Sequence, residues 1–409
     1  MKYTINWAKG FIEWHLPKEL DGVTFLAAGD ICLTSEGLKK KVVTTKDPAF
    51  LFGPTRSIFE SADIVLGNLE NPLSERGEPI FKLGPNFRAS PNMAKVLSDA
   101  NFTILGVANN HIRDYGDNAF LDTLVCLQSS GILPVGGGRS ASSALEPVIV
   151  KRRDLSIGMF AFTYRQESIA QKKRPGAADL DNPNCYEAVR ALCDEVDMVI
   201  VSLHMDPEYT NYPAPYRMKM ARTFVDLGAE LVIGHHPHVP QGLEIYKGRL
   251  IAYSLGNFIF YPLAEYGARL TRYGYLLKVK LTIEGLAWAE IIPYRINDCY
   301  QPKPLQRKGY VETLNHLESI SRDLHNPKIV RLAWEEVASK EAMSISKHIL
   351  HSILKRKTFS LWSCHLRRLR HHYPVFMKNL VEGKLWKHVK NWMQSARARN
   401  ELSRIMENP

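Results

Sequence analysis

The 409-residue sequence lacks any apolar run near the roughly 20 residues needed to span a bilayer. Its start, Met1-Lys2-Tyr3-Thr4-Ile5-Asn6-Trp7, has neither a continuous apolar segment nor a small-residue cleavage site, so it reads as having no secretory signal. Cysteine is sparse. The six residues (Cys32, Cys126, Cys185, Cys193, Cys299, Cys364) include no Cys-x-x-Cys pair, which argues against a Cys-rich zinc module and for a reducing compartment. These absences together predict a cytoplasmic chain. There is no low-complexity tract, no internal repeat and no nucleic-acid-binding motif. The balance that remains, 45% apolar and 23% charged, is that of an ordinary globular protein.

Charge is unevenly spread. Residues 1–320 carry 35 Lys+Arg and 35 Asp+Glu, whereas residues 321–409 carry 18 against 7 and so hold the whole net charge of +11. Residues 1–22 read as a lead-in whose Trp7, Phe11, Ile12, Trp14 and Leu16 can pack on a body spanning 23–297. Within that body, strand-like runs at 23–28, 64–66, 102–107, 155–162, 198–203, 231–233, 250–254, 275–283 and 287–294 alternate with helical spacing at 91–100, 117–129 and 216–227. Pro91 suits a first helical turn, and Gly131 and Gly228 suit helix ends. The last two strands, joined by Glu284-Gly285, read as a hairpin. The alternation predicts an α/β body with a mixed sheet or two packed sheets. Residues 298–320 read as a linker and 321–409 as a basic helical appendage.

Five polar clusters each sit just past an apolar run. They are Gly29-Asp30, Gly67-Asn68-Leu69-Glu70, Asn109-Asn110-His111-Ile112-Arg113-Asp114, His204, and Gly234-His235-His236-Pro237-His238. Open α/β folds build their sites at the carboxyl ends of strands, and all five runs would deliver their residues to one sheet edge. The set offers two carboxylates, an amide oxygen and three imidazoles. That is the nitrogen and oxygen donor mix of a dinuclear zinc, manganese or iron site. Each member alone has a plainer account: Asp30 as a turn former, Glu70 as a solvated loop acid, Asn110 as a helix cap, His204 as a hydrogen-bonded core histidine, His236 and His238 as loop polar residues. Five such coincidences at strand ends are less expected than one site.

The ordered motifs GD (29–30), GNLE (67–70), NNH-x-x-D-x-G (109–116), H-x-x-x-EY (204–209), GHHPHV (234–239) and SLGNFIF (254–260) resemble the CapA/PgsA family. That family is associated with poly-γ-glutamate capsule synthesis and is related to calcineurin-like metallophosphoesterases. The resemblance spans roughly residues 23–297. It implies a four-layer α/β/β/α sandwich with two divalent ions (manganese, zinc or iron) at the strand ends. By similarity Asp30, Glu70 and His238 would hold one ion, and Glu70, Asn110, His204 and His236 the other. His111, oriented by Asp114, would donate a proton to the leaving oxygen.

The sequence departs from the pattern in three places. The wider phosphoesterase pattern has a histidine two residues after the first aspartate, where this chain has Cys32. Cys32 reads either as a thiolate ligand or as a small buried hydrophobe. Met205-Asp206 stands where the family usually has Trp-Gly, and Arg217 stands where it often has Gln. Asp206 and Glu208 would place negative charge near the mouth, and Arg217 could grip an anion bidentately. Asn257 is a candidate for supporting the metal ligands or binding substrate, or else a simple turn residue.

The resemblance implies a metal-dependent hydrolase of a phosphoester or related anionic substrate, small molecule or polymer, tied to capsule or envelope polymer synthesis. The competing expectation is a non-catalytic auxiliary protein that binds an acidic polymer. In the tail, Lys355-Arg356-Lys357 and Arg367-Arg368-Leu369-Arg370-His371-His372 alternate with Phe359, Trp362 and Tyr373. They read as a solvated helical face, or as a peripheral contact with an anionic membrane through 321–409, with nucleic acid ranked last.

Overall fold

A computed structural model describes residues 2–16, 21–34, 48–82, 84–165, 167–260 and 269–339. Its larger sheet has ten strands. Eight form one path: Tyr3–Asn6, Phe11–Trp14, Gly285–Ile296, Tyr273–Thr282, Val23–Ile31, Ile64–Leu69, Ile104–Gly106 and Leu133–Val135. Asn257–Ile259 pairs in parallel with the end of Val23–Ile31, and Pro302–Pro304 pairs with Gly285–Ile296. The second sheet has six strands in the order Leu243–Tyr246, Arg249–Ala252, Leu231–His235, Met198–His204, Leu155–Thr163 and Val148–Arg152, of which the middle four run parallel. Parallel strands are covered on both faces, which is why they appear in the sequence as unbroken apolar runs.

The two sheets share a core. Phe25, Ala27, Ile64 and Leu66 of the larger sheet pack in one cluster with Ile157, Met159, Ile200 and Ile233 of the smaller. Alternate residues of the same small-sheet strands, Phe160, Phe162, Val199, Val201 and Val232, pack instead with helices Asn184–Cys193 and Pro215–Asp226. Phe162 stacks on Phe224 at 5.7 Å between ring centroids. The period-two alternation thus gives the smaller sheet one face for its partner sheet and one for helices. Helices Met93–Asp99 and Gly116–Ser129 supply Met93, Val96, Leu97, Phe120 and Leu127 to the core of the larger sheet. The result is the expected helix, sheet, sheet, helix sandwich.

All nine expected strands and three expected helices form, with ends shifted by a few residues. The lead-in goes further than packing: its two strands join the larger sheet through Phe11–Trp14, and Ile12 and Trp14 are buried. The linker expected over 298–320 instead contains the helix Arg307–Asp323, which buries Leu314, Leu317 and Ile320. Apolar residues three apart on one helix face anchor it, so the compact body extends to Val330. The described residues 331–339 of the following unit are helical; the rest of the expected appendage, 340–409, lies outside the described residues. Among the described residues no helix is long and apolar enough to cross a membrane.

Candidate metal centre

The strand ends converge as their sequence positions imply. Asp30, Asn68 and Gly106 end three adjacent parallel strands of the larger sheet, with Asn68 in register with both neighbours. His204 and His235 close two paired strands of the smaller sheet. Two glycines permit the close approach. A Cβ at Gly29 would lie 1.9 Å from the carbonyl oxygen of Gly256, and one at Gly234 would lie 1.9 Å from that of Tyr253. No other residue fits either place.

Asn68 links the two carboxylates. Its Nδ2 donates to Asp30 Oδ1 at 2.9 Å and to Glu70 Oε1 at 3.1 Å, while Asn109 Nδ2 donates to Asn68 Oδ1 at 3.3 Å and to the Leu69 carbonyl at 2.7 Å. His204 Nδ1 is 3.7 Å from Glu70 Oε1, and its Nε2 is 2.8 Å from Asn110 Oδ1. His238 Nδ1 is 3.4 Å from Asp30 Oδ2 and donates to Asn257 Oδ1 at 2.9 Å, which leaves Nε2 as its lone-pair nitrogen. The His236 ring lies 4.5 Å from that of His204 and 5.8 Å from that of His238. All six sequence-predicted metal residues are therefore brought together and buried.

The electrostatics suit a cation. Burial, then the neighbouring Asp30 and Glu208, push the Glu70 carboxyl well above its ordinary value. Burial also opposes charge on Asp30, but hydrogen bonds with His235 and His238 outweigh it and hold that carboxyl well below its usual range. Burial depresses His204 and His236 strongly, which favours the neutral form that ligates metal. His238 is also opposed by burial but is raised overall by Asp30. Glu70 Oε2 and His236 Nδ1 are buried without any hydrogen-bond partner. Ligand atoms of Asp30, Glu70 and His238 lie within 4.8 Å of one another, and so do those of Glu208, His236 and His238. The donor set therefore fits a divalent ion on direct geometric grounds.

Beside this cluster His111 Nδ1 lies 2.8 Å from Asp114 Oδ2, and Phe87 packs on the imidazole at 4.4 Å between ring centroids. Asp114 is fully buried and also accepts from the Phe87 backbone N–H at 2.7 Å. Lys82 forms a buried ion pair with Asp114 and comes 2.9 Å from His111 Nδ1. Burial, then Lys82, lower the His111 imidazolium's pKa, against the pull of Asp114.

Two sequence expectations change. Arg217 does not face an accessible mouth. It is 1% exposed, with its guanidinium 4.1 Å from the Tyr164 ring centroid and its Nη1 near Met220 sulfur. Helix Pro215–Asp226 turns this position inward, toward the layer of aromatic rings. Asp206 is buried as well, so of the two acids expected at the mouth only Glu208 is exposed. Burial pushes the Asp206 carboxyl up to about 7, against its hydrogen bond from the Ala214 N–H and the charge of Arg217. Asn257 is buried and orients His238, the supporting role, rather than lining an open surface. Cys32 is the buried-hydrophobe case. Burial pushes its thiol far above the ordinary range, and its sulfur contacts Thr34 Oγ1 at 3.5 Å.

Three residues at the site were not singled out in the sequence. Asn68 lies inside the GNLE motif, where its neighbour Glu70 carries the more evident ligand signal. Lys82 and Arg165, whose Nη2 is 2.8 Å from His236 Nε2, carry no local pattern that marks them.

The chain matches the family described as bacterial capsule synthesis protein PGA_cap over residues 24–262. It is similar to the PGA biosynthesis protein CapA of Bacillus subtilis (32% identical, over 72% of this chain and 76% of that protein). It is also similar to the capsule biosynthesis protein CapA of Bacillus anthracis (28% identical, over 83% of this chain and 82% of that protein). Among solved structures, a novel phosphatase of Mycoplasma pneumoniae aligns with a TM-score of 0.42 and 15% identity, over 72% of this chain and 98% of that one.

Proposed function

The chain belongs to the bacterial capsule synthesis family PGA_cap, and from that premise we propose that it is a metal-dependent hydrolase of a phosphoester or related anionic bond. The observation that carries this reading is the convergence of Asp30, Glu70, Asn110, His204, His236 and His238 at one set of strand ends, with Glu70 Oε2 buried and unpartnered. Buried polar atoms without partners are costly and call for a ligand. A bound divalent ion would supply Lewis acidity and a hydroxide near neutral pH.

The chain's own residues supply the rest. Asn68 sets the spacing of the two carboxylates. Asn257 fixes the His238 tautomer. Asp114 holds His111 through Nδ1, which leaves Nε2 to take up a proton and pass it to a leaving oxygen, while Lys82 balances the charge of Asp114. Arg165, against His236, gives the pocket a cation suited to an anionic substrate. Phe87 and Phe260 pack on His111 and His238 and limit water there.

The relatives' names link them to capsule and PGA biosynthesis, so the substrate would be an anionic small molecule or polymer of that process. The test is turnover of generic phosphomonoesters and diesters by chain reloaded with manganese, zinc or iron. Turnover lost in His111→Ala with metal retained supports hydrolysis. Metal binding with no turnover at any loading favours the auxiliary reading, in which the same pocket holds an acidic polymer.

A further inference from the structure

The geometry points to Glu208 as a metal ligand that, together with His236 and His238, closes the centre from its exposed side. This inference rests on the reading that the cluster holds metal, and it adds a ligand to that cluster from the loop after His204.

The thiol at Cys32 is two residues from Asp30 but is a poor donor. It is buried, contacts Thr34 and belongs to none of the groupings of convergent ligand atoms among the described residues. Glu208 is a better placed donor. A carboxylate oxygen of Glu208 lies within 4.8 Å of ligand atoms of both His236 and His238.

The loop carrying Glu208 is held to the histidine loop from both sides. Met205 N–H donates to the His235 carbonyl at 3.1 Å, and Tyr209 N–H donates to the Pro237 carbonyl at 2.8 Å. Asp206 caps the turn that follows by accepting from Ala214 N–H at 2.8 Å. Four non-glycine residues of these two loops, Asp206, Tyr209, His236 and His238, have φ between +58° and +96°. L-residues adopt that region at a cost, and tertiary contacts must hold them there. The arrangement spends that strain on bringing one carboxylate to two imidazoles.

An ion held by Glu208, His236 and His238 would have one carboxylate and two imidazoles and no thiolate, a donor set open to manganese.

The experiment titrates metal-stripped full-length chain with Mn(II), following free Mn(II) by electron paramagnetic resonance, for the wild type, Glu208→Gln and Cys32→Ser. Glu208→Gln is nearly isosteric at an exposed position, and its metal-free unfolding curve serves as the folding control. The expected result is a weakening of Mn(II) binding by about tenfold or more in Glu208→Gln, with Cys32→Ser indistinguishable from wild type. Wild-type affinity and stoichiometry in Glu208→Gln overturns the inference alone. Loss of the ion in Cys32→Ser, with Glu208→Gln unchanged, returns the position to the thiol and also overturns it. A wild-type chain that binds neither Mn(II) nor Zn(II) overturns both this inference and the metal-dependent reading beneath it.

Discussion

Asp114 serves two buried partners at once: its Oδ2 lies 2.8 Å from His111 Nδ1, and its Oδ1 pairs with Lys82 Nζ. If Nδ1 carries the hydrogen that bonds Asp114, it cannot also accept from Lys82, although that ammonium is 2.9 Å away. Lys82 then directs its protons to Asp114 and to the Asn110 carbonyl at 3.3 Å. With Nδ1 held by Asp114, Nε2 is the nitrogen left for proton transfer.

Breaking this pair from one side should be expensive. Lys82→Met leaves a buried carboxylate without its cation, and the expected loss is about 3–5 kcal/mol in urea unfolding at neutral pH. Removing both charges in Lys82→Met with Asp114→Asn should recover part of that loss. Strictly additive losses would mean the two groups do not interact.

His111→Ala should lower turnover of any phosphoester substrate by roughly 10²–10⁴-fold, the usual contribution of a positioned acid or base. Metal content should stay at the wild-type level. Turnover unchanged in this variant would remove His111 from the chemistry.

Asn257→Ala removes the acceptor that holds His238 Nδ1 at 2.9 Å. Metal affinity should fall by roughly 10–100-fold, the usual cost of losing a group that orients a ligand. Calorimetric titration reads this directly, and wild-type affinity would show that Asp30 alone orients the ring.

Gly29→Ala and Gly234→Ala each force a methyl group against a carbonyl oxygen 1.9 Å away in strands fixed on both sides. Each should destabilise the body by about 3 kcal/mol or more. A melting temperature equal to wild type would contradict the close packing of the strand ends.

Much of the site was legible because strand ends carry a one-dimensional signal. An apolar run followed at once by Asp30, Glu70, Asn110, His204 or His236 states both where a strand stops and which group is delivered there. Parallel pairing then brings the five stops together. Other features depend on tertiary packing that no local pattern encodes. Lys82 follows Phe81, which is 74% exposed, and nothing in that loop marks the lysine as buried against Asp114. Arg217 reads as an anion grip until Tyr164 is seen covering it. The helix Arg307–Asp323 carries its spacing in Leu314, Leu317 and Ile320, but the Pro and Lys residues before it read as a link.

The basic segment is proposed to contact anionic surfaces. The full chain is expected to bind phosphatidylglycerol vesicles in a salt-sensitive way, and a chain ending at Val330, where the compact body stops, to lose that binding. Equal binding by both chains would remove the tail from that role.

The central claim is that the six converging residues hold metal. The direct measurement is elemental analysis of chain purified without added metal, beside a His236→Ala/His238→Ala double variant. The account predicts about two divalent ions per wild-type chain and their loss from a variant that remains folded. A folded wild-type chain with no bound metal, indistinguishable from the variant, would contradict it.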